Sequence, residues 1–101
     1  MIARVWSARA SFLNLEPYKL HLSRKVFPEL RSIPGFVRAE LFTRADAGES
    51  EIVVTTVWKD LASIDAFAHP DREAAVIAAE AAALLTDYDR RVRHYEIALT
   101  T

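Results

Sequence analysis

The residue pattern predicts an α+β sandwich, a four-stranded antiparallel sheet with its helices on one face, and three observations point there. Apolar and polar residues alternate with period two over 2–10, 36–43, 51–58 and about 90–100, as strands do. Apolar residues between 15 and 33 recur at steps of three and four, as on one face of a helix. A second helical region, opened by Asp60, lies between the third and fourth strands.

In the first strand Ala3, Val5 and Ser7 share one side, and Ile2, Arg4, Trp6 and Ala8 the other. Asn14 suits a helix N-cap, with Pro17 in the first turn, where its missing N–H does no harm. Leu15, Tyr18, Leu22, Val26, Leu30 and Ile33 form the apolar stripe, and Pro28 should kink the helix or loosen its last turn. His21 lies about 120° from the centre of that stripe, which predicts an exposed side chain. Pro34-Gly35 stops the helix. Phe36, Arg38, Glu40 and Phe42 then alternate with Val37, Ala39 and Leu41 along the second strand. Asp46-Ala47-Gly48 is a hairpin turn, and the β-branched run Ile52–Val57 suits a central strand. Asp60 caps a short helix ended by Pro70, and residues 74–85, seven of them alanine, predict a further helix. The last strand should run from about Arg90 to Thr100, with Val92, His94 and Glu96 on one face.

Strand, helix, two strands, helix, strand is the split βαβ or ferredoxin-like order βαββαβ, with both helices on one face of the sheet. The other face is left bare. Trp6, Phe36, Phe42, Val53 and Val57 are assigned to it, with Arg4, Arg38 and Glu40 among them. An aromatic patch of that kind predicts a homodimer packed sheet against sheet.

A chain of 101 residues is one domain, residues 1–101, with a modest core. Thirteen basic against fourteen acidic residues, net −1, argue against a nucleic-acid binder. The absence of cysteine excludes disulfides, thiolate metal sites and cysteine nucleophiles, and no two histidines have ligand spacing. No apolar run reaches membrane-span length, and Arg4 interrupts the start of the chain, so no targeting peptide and a cytoplasmic location are expected.

Five segments carry a family resemblance: Ile2–Trp6, Ile33–Phe36, Thr55–Asp60, Ala66–Ala68 and Val92–Ile97. Together they resemble the antibiotic biosynthesis monooxygenase-like domains of the dimeric α/β-barrel superfamily. The resemblance implies a homodimer of ferredoxin-like protomers, each with a pocket between helices and sheet. It also implies either cofactor-free oxygenation of phenolic or quinol-type substrates or haem degradation. Of the residues that serve the cofactor-free oxygenases, the strand tryptophan matches Trp58, while the asparagine and tyrosine positions hold Val54 and Ile64. The haem-degrading branch's asparagine, tryptophan and axial histidine positions hold Ser7, Phe67 and Ile77. No cofactor is therefore expected, and haem, lacking its ligand, should bind poorly.

Trp58 is either core or an indole wall of the pocket, Phe67 packing or ligand contact. Tyr18, at the stripe's edge, can bury its ring and keep its hydroxyl in a cleft. His69 precedes Pro70 and either caps a helix end or reaches the ligand. His94 is either a general base or a structurally satisfied imidazole. The site expected from sequence is thus His94 and Tyr18 as catalytic groups, with Trp58, Phe67 and His69 around a small aromatic substrate. The alternatives are a non-catalytic ligand-binding or regulatory module, and a structural dimer without ligand.

Overall fold

β1 (Ile2–Ala10) is the strand around which the sheet is built, in a computed structural model that describes residues 1–101. On one side it pairs antiparallel along its whole length with β3 (Glu49–Trp58), whose outer edge carries β2 (Phe36–Asp46). On the other side it pairs with β4 (Asp87–Tyr88) near its end and β5 (Arg93–Glu96) near its start. The order β2-β3-β1-β4/β5 is that of the antiparallel ferredoxin-like sheet. The hairpin between β2 and β3 turns at Ala47 and Gly48, whose φ values of 50° and 78° suit a right-twisted two-residue turn. No helix is long and apolar enough to cross a membrane.

The expected final strand is two short pieces rather than one. Residues 90–92 leave β1 because another segment claims them: the Ala75 N–H donates to Arg90 O (2.9 Å) and the Val92 N–H to Glu73 O (2.8 Å). Asp89 stays anchored to β1, its N–H on Ser7 O (2.9 Å) and its carbonyl accepting from Trp6 Nε1 (2.6 Å). The same claim corrects the helix expected over 74–85. Only α4 (Ala79–Ala82), a single turn, is helical there. A helix from Asp71 needs the Arg72 and Ala74 carbonyls for N–H groups four residues on. Both instead accept from the Arg4 guanidinium, so tertiary bonding overrides alanine's propensity.

The first helical region runs as α1 (Phe12–His21), one π turn (Leu22–Val26) and α2 (Phe27–Arg31). Its cap is Ser11, not Asn14: Ser11 Oγ accepts the Asn14 N–H at 3.3 Å, and the Asn14 amide instead donates to Leu84 O at 3.1 Å. The π turn has two causes. Tyr18, Leu22, Val26 and Leu30 are spaced by fours, each step overshooting a 3.6-residue turn by about 40°. Pro28 has no N–H to offer Arg24, so the ladder must loosen before it, and the Phe27 N–H bonds Leu22 O five residues back. α3 (Leu61–Asp65) is capped as expected, Asp60 Oδ1 accepting the Ser63 N–H at 2.9 Å and its hydroxyl at 2.7 Å.

Two buried clusters lie between sheet and helices. One joins Ala8, Ala10, Ile52, Tyr18, Leu22 and Ala81; the other joins Ile2, Trp58, Leu30, Ile64 and Ala68. The sheet face they use settles which residues are left bare. Trp6 packs on the first cluster and Phe36 on the second, and Arg4, on the same side of β1, is 4% exposed. All three therefore face the helices, not the open side. For Phe36 the reason is a bulge: the register slips between Phe36 and Arg38, so Phe36 faces inward with Trp58 while Arg38, Glu40 and Phe42 face outward. Phe42 remains half exposed at 50% on the open face, paired with Val53.

Gly35 holds this end of the sandwich together. Its φ is +91°, its carbonyl accepts the Lys59 N–H at 2.8 Å, and a Cβ there would collide with the Ser63 side chain. Gly35→Ala should therefore destabilise the protein by about 2–3 kcal/mol, while Gly48→Ala, with open space around it, should cost only about 1 kcal/mol of backbone strain. Chemical denaturation of the two variants checks the difference.

Candidate functional site

Between the two clusters the sheet carries larger or polar residues: Arg4 and Trp6 on β1, and Val54 and Thr56 on β3. Neither cluster closes over them, and a cavity of about 340 Å³ opens there. Tyr18 and His21 of α1, Leu22, Lys25 and Val26 of the π turn, Phe67 beyond α3, and Ile77, Glu80 and Ala81 around α4 complete most of its wall. The lining is mostly apolar, and its charged members Lys25, Glu29 and Glu80 are exposed, so they belong to the mouth.

Arg4 is the interior charge. Its Nη1 donates to the Arg72 carbonyl and to His94 Nε2 (3.0 Å), its Nη2 to Ala74 O (2.8 Å), and its Cζ lies 5.8 Å from the Phe67 ring centre. None of these partners is anionic. Burial lowers its pKa to about 10, which leaves the guanidinium charged at neutral pH. Tyr18 is 2% exposed, and burial pushes its phenol well above the ordinary value, so it stays a neutral hydroxyl. That hydroxyl has no hydrogen-bond partner in the protein and yet is not sealed, which leaves it open to a molecule in the cavity. Thr56 Oγ1 is occupied by the Trp58 indole N–H at 2.8 Å.

The site residues expected from sequence are thus only partly brought together. Tyr18 and Phe67 line the cavity. Trp58 is fully buried behind it, stacked on Phe67 with ring centres 6.0 Å apart, so it supports the wall rather than forming it. His94 pairs with Arg4 across β1 and β5 and stands outside the lining. Arg4 only donates, so His94 Nε2 must accept, and the lone pair that a base needs is occupied. His69 is exposed and outside the lining. His21 is the reverse case. Expected to be exposed, its side chain is only 10% so, and its Nδ1 lies 3.8 Å from Glu80 Oε1. The apolar stripe runs through the π turn, where its phase slips and brings His21 toward the cavity. Arg4 was legible as a single charge on the Ile2–Trp6–Ala8 face of the strand.

A family model described as antibiotic biosynthesis monooxygenase matches residues 20–76, more than half of the chain. The chain belongs to that family. Comparison with curated proteins gives no match. As an antibiotic biosynthesis monooxygenase family member it has the cavity between helices and sheet that the resemblance implies, with other residues at the positions the resemblance singles out. Val54, which the resemblance sets at the oxygenase asparagine position, is a hydrocarbon wall, and Ile64, which it sets at the tyrosine position, lies in the second core cluster. Ile77, which the resemblance sets at the axial histidine position, also lines the cavity and offers iron no lone pair, so the axial ligand that the resemblance implies is missing from its place.

His94 yields a pH prediction. Burial first, then the Arg4 and Arg72 charges, hold its pKa below the ordinary 6.5. The unfolded chain therefore takes up that proton before the folded one does. The stability linked to His94 is present above pH 6.5 and drains away as pH falls through the lower folded value. Stability should decline as pH falls below about 7.5, and His94→Gln should flatten that slope. Denaturant midpoints across this range check it.

Proposed function

We propose that the protein is a cytoplasmic homodimer of single-domain chains, residues 1–101, which binds a small planar phenolic or quinol-type molecule and oxygenates it without a cofactor. What carries this reading is the cavity, in a member of this family. Its 340 Å³ lie at the small end of the range for ligand sites, its walls are aromatic and aliphatic, and the free Tyr18 hydroxyl opens into it. An electron-rich ring supplies its own electrons to dioxygen once deprotonated. In overall balance, one phenol and one dioxygen give one quinone and one water, all four electrons coming from the ring. Phe67, held by Trp58, lies against the substrate. Tyr18 donates to the oxygen on which charge develops. His21, with Glu80 beside it at the mouth, takes the phenolic proton. His94 acts through Arg4 as a positioning residue, and His69 lies too far out for the substrate contact considered for it.

Val54 and Ile64 favour a second reading, a binding module without turnover, because they remove two polar groups that serve the family's oxygenases. Oxygen uptake with a panel of phenols and hydroquinones separates the two. Turnover is expected, and Tyr18→Phe should lower it by about 10²-fold with the fold intact. Saturable binding with no oxygen consumed for any compound leaves the binding module.

The homodimer is supported by the open sheet face, where Phe42 and Tyr95 are each 50% exposed with no helix over them. Phe42→Asp should shift the protein from dimer to monomer in sedimentation at micromolar concentration, and a dimer unchanged by that variant would place the interface elsewhere.

A further inference from the structure

We propose that the cavity selects an aromatic oxyanion, a ring-borne carboxylate or ionised phenol, and that Arg4 is its anchor. This deepens the binding half of the function proposed above and does not require the oxygenation half.

The argument starts from an imbalance of charge. Arg4 is 4% exposed, yet its hydrogen bonds go only to two backbone carbonyls and an imidazole. A buried cation is normally paired with an anion, because neutral acceptors repay only part of the lost hydration. The carboxylates of two segments around it, α3 and the stretch after Pro70, are already engaged. Asp65 holds Arg72 through two bonds of 2.7 Å, and Glu73 holds Arg91 at 3.0 Å. Arg4 Nε has no acceptor in the protein, and no buried polar side-chain atom is sealed off without a partner. With Arg4 in the cavity lining, the unused donor edge is open to a ligand there. The three neutral acceptors fix the guanidinium plane before any ligand arrives, which is what a bidentate oxyanion contact needs.

The rest of the wall specifies what the anion is attached to. Phe67 faces the guanidinium, and Trp6, Val54 and Leu22 complete an apolar slot beside it. A small inorganic anion would pair with Arg4 and leave that slot unfilled; a flat aromatic carrying the charge at one edge fills both. The other cation of the lining does not compete, because Lys25 is exposed at the mouth and paired with Glu80 at 3.1 Å.

The test is calorimetric titration of the intact protein with 2-naphthoate, 2-naphthalenemethanol and inorganic phosphate, together with absorbance titration of bound 2-naphthol. We expect 2-naphthoate to bind at least about tenfold more tightly than the neutral alcohol. The ionisation of bound 2-naphthol should correspondingly fall by about one pH unit or more, since a tenfold preference for the phenolate is one unit. A gain with naphthoate alone identifies a carboxylate ligand, and a shift of naphthol alone an ionised phenol; either supports the proposal. Arg4→Met should abolish the preference, and should that variant fail to fold, the comparisons on the unmodified protein decide by themselves. Equal binding of alcohol and acid with an unshifted naphthol overturns the oxyanion anchor and leaves the aromatic cavity standing. Phosphate binding as tightly as naphthoate overturns the aromatic requirement. Failure of every naphthyl compound to bind overturns both this proposal and the binding reading beneath it.

Discussion

The Arg4 guanidinium, set among the carbonyls of Arg72 and Ala74 and the imidazole of His94, is the interaction on which the shape of this molecule depends. It ties three distant parts of the chain, β1, the segment after Pro70 and β5, across the same face of the sheet. Each acceptor it takes is one that local structure would otherwise use. The two carbonyls are withdrawn from a helix, so residues 72–78 pass from a turn through a bridge at Ala74 and reach α4 without forming one. Strand 90–96 is broken in turn, because that segment bonds to Arg90 and Val92 as a second edge. A single long side chain thus shapes about a quarter of the chain.

The same side chain keeps the interior from closing. Small residues at Ala8 and Ala10 and large ones at Ile2 and Trp58 let the helices settle at the two ends of the sheet. Between them a guanidinium and an indole stand where aliphatic side chains would interdigitate with the helix layer. Close packing is the norm in protein interiors, and a gap of this size forgoes dispersion contacts on all its walls. Only 16 of 101 residues are buried, so that loss falls on a small core. Stability is given up at the middle of the sandwich, where the cavity lies.

The fold class and the order of elements were legible because they rest on periodicity, which survives in any context. Alternation marked β1, β2 and β3, and Asp60 and Asp46–Gly48 marked a cap and a turn through local chemistry alone. What was not legible involved partners far away in sequence. The alanine run reads as helix until Arg4 claims its carbonyls. Phe36 reads as outward until the bulge before Arg38 shifts the count by one. Within the site, Tyr18 and Phe67 could be picked by residue type and position, and they do line the cavity. The chemistry of His94 suggests a base, but the group that occupies its lone pair lies 90 residues away. Arg4 carries the strongest signal of all, a charge in an apolar alternation, but alternation alone does not say which face of a strand turns inward.

The π turn at Leu22–Val26 has a meaning for how this cavity is reshaped over time. From Tyr18 to Leu30 is twelve residues, which on a regular α-helix turns the chain about 120° past alignment. Eleven residues would leave the two within about 20° of each other. The turn therefore behaves as a single-residue insertion, absorbed as a swelling in the helix so that both ends still meet the sheet. Insertions of this kind are the rare changes that lengthen a helix without rotating what it presents to the core. The swelling lies on the cavity wall, where Leu22, Lys25 and Val26 face the opening. One residue gained or lost there would alter the contour of the wall and leave Tyr18 and Leu30 in place, so the shape of the cavity is separable from the scaffold that holds it.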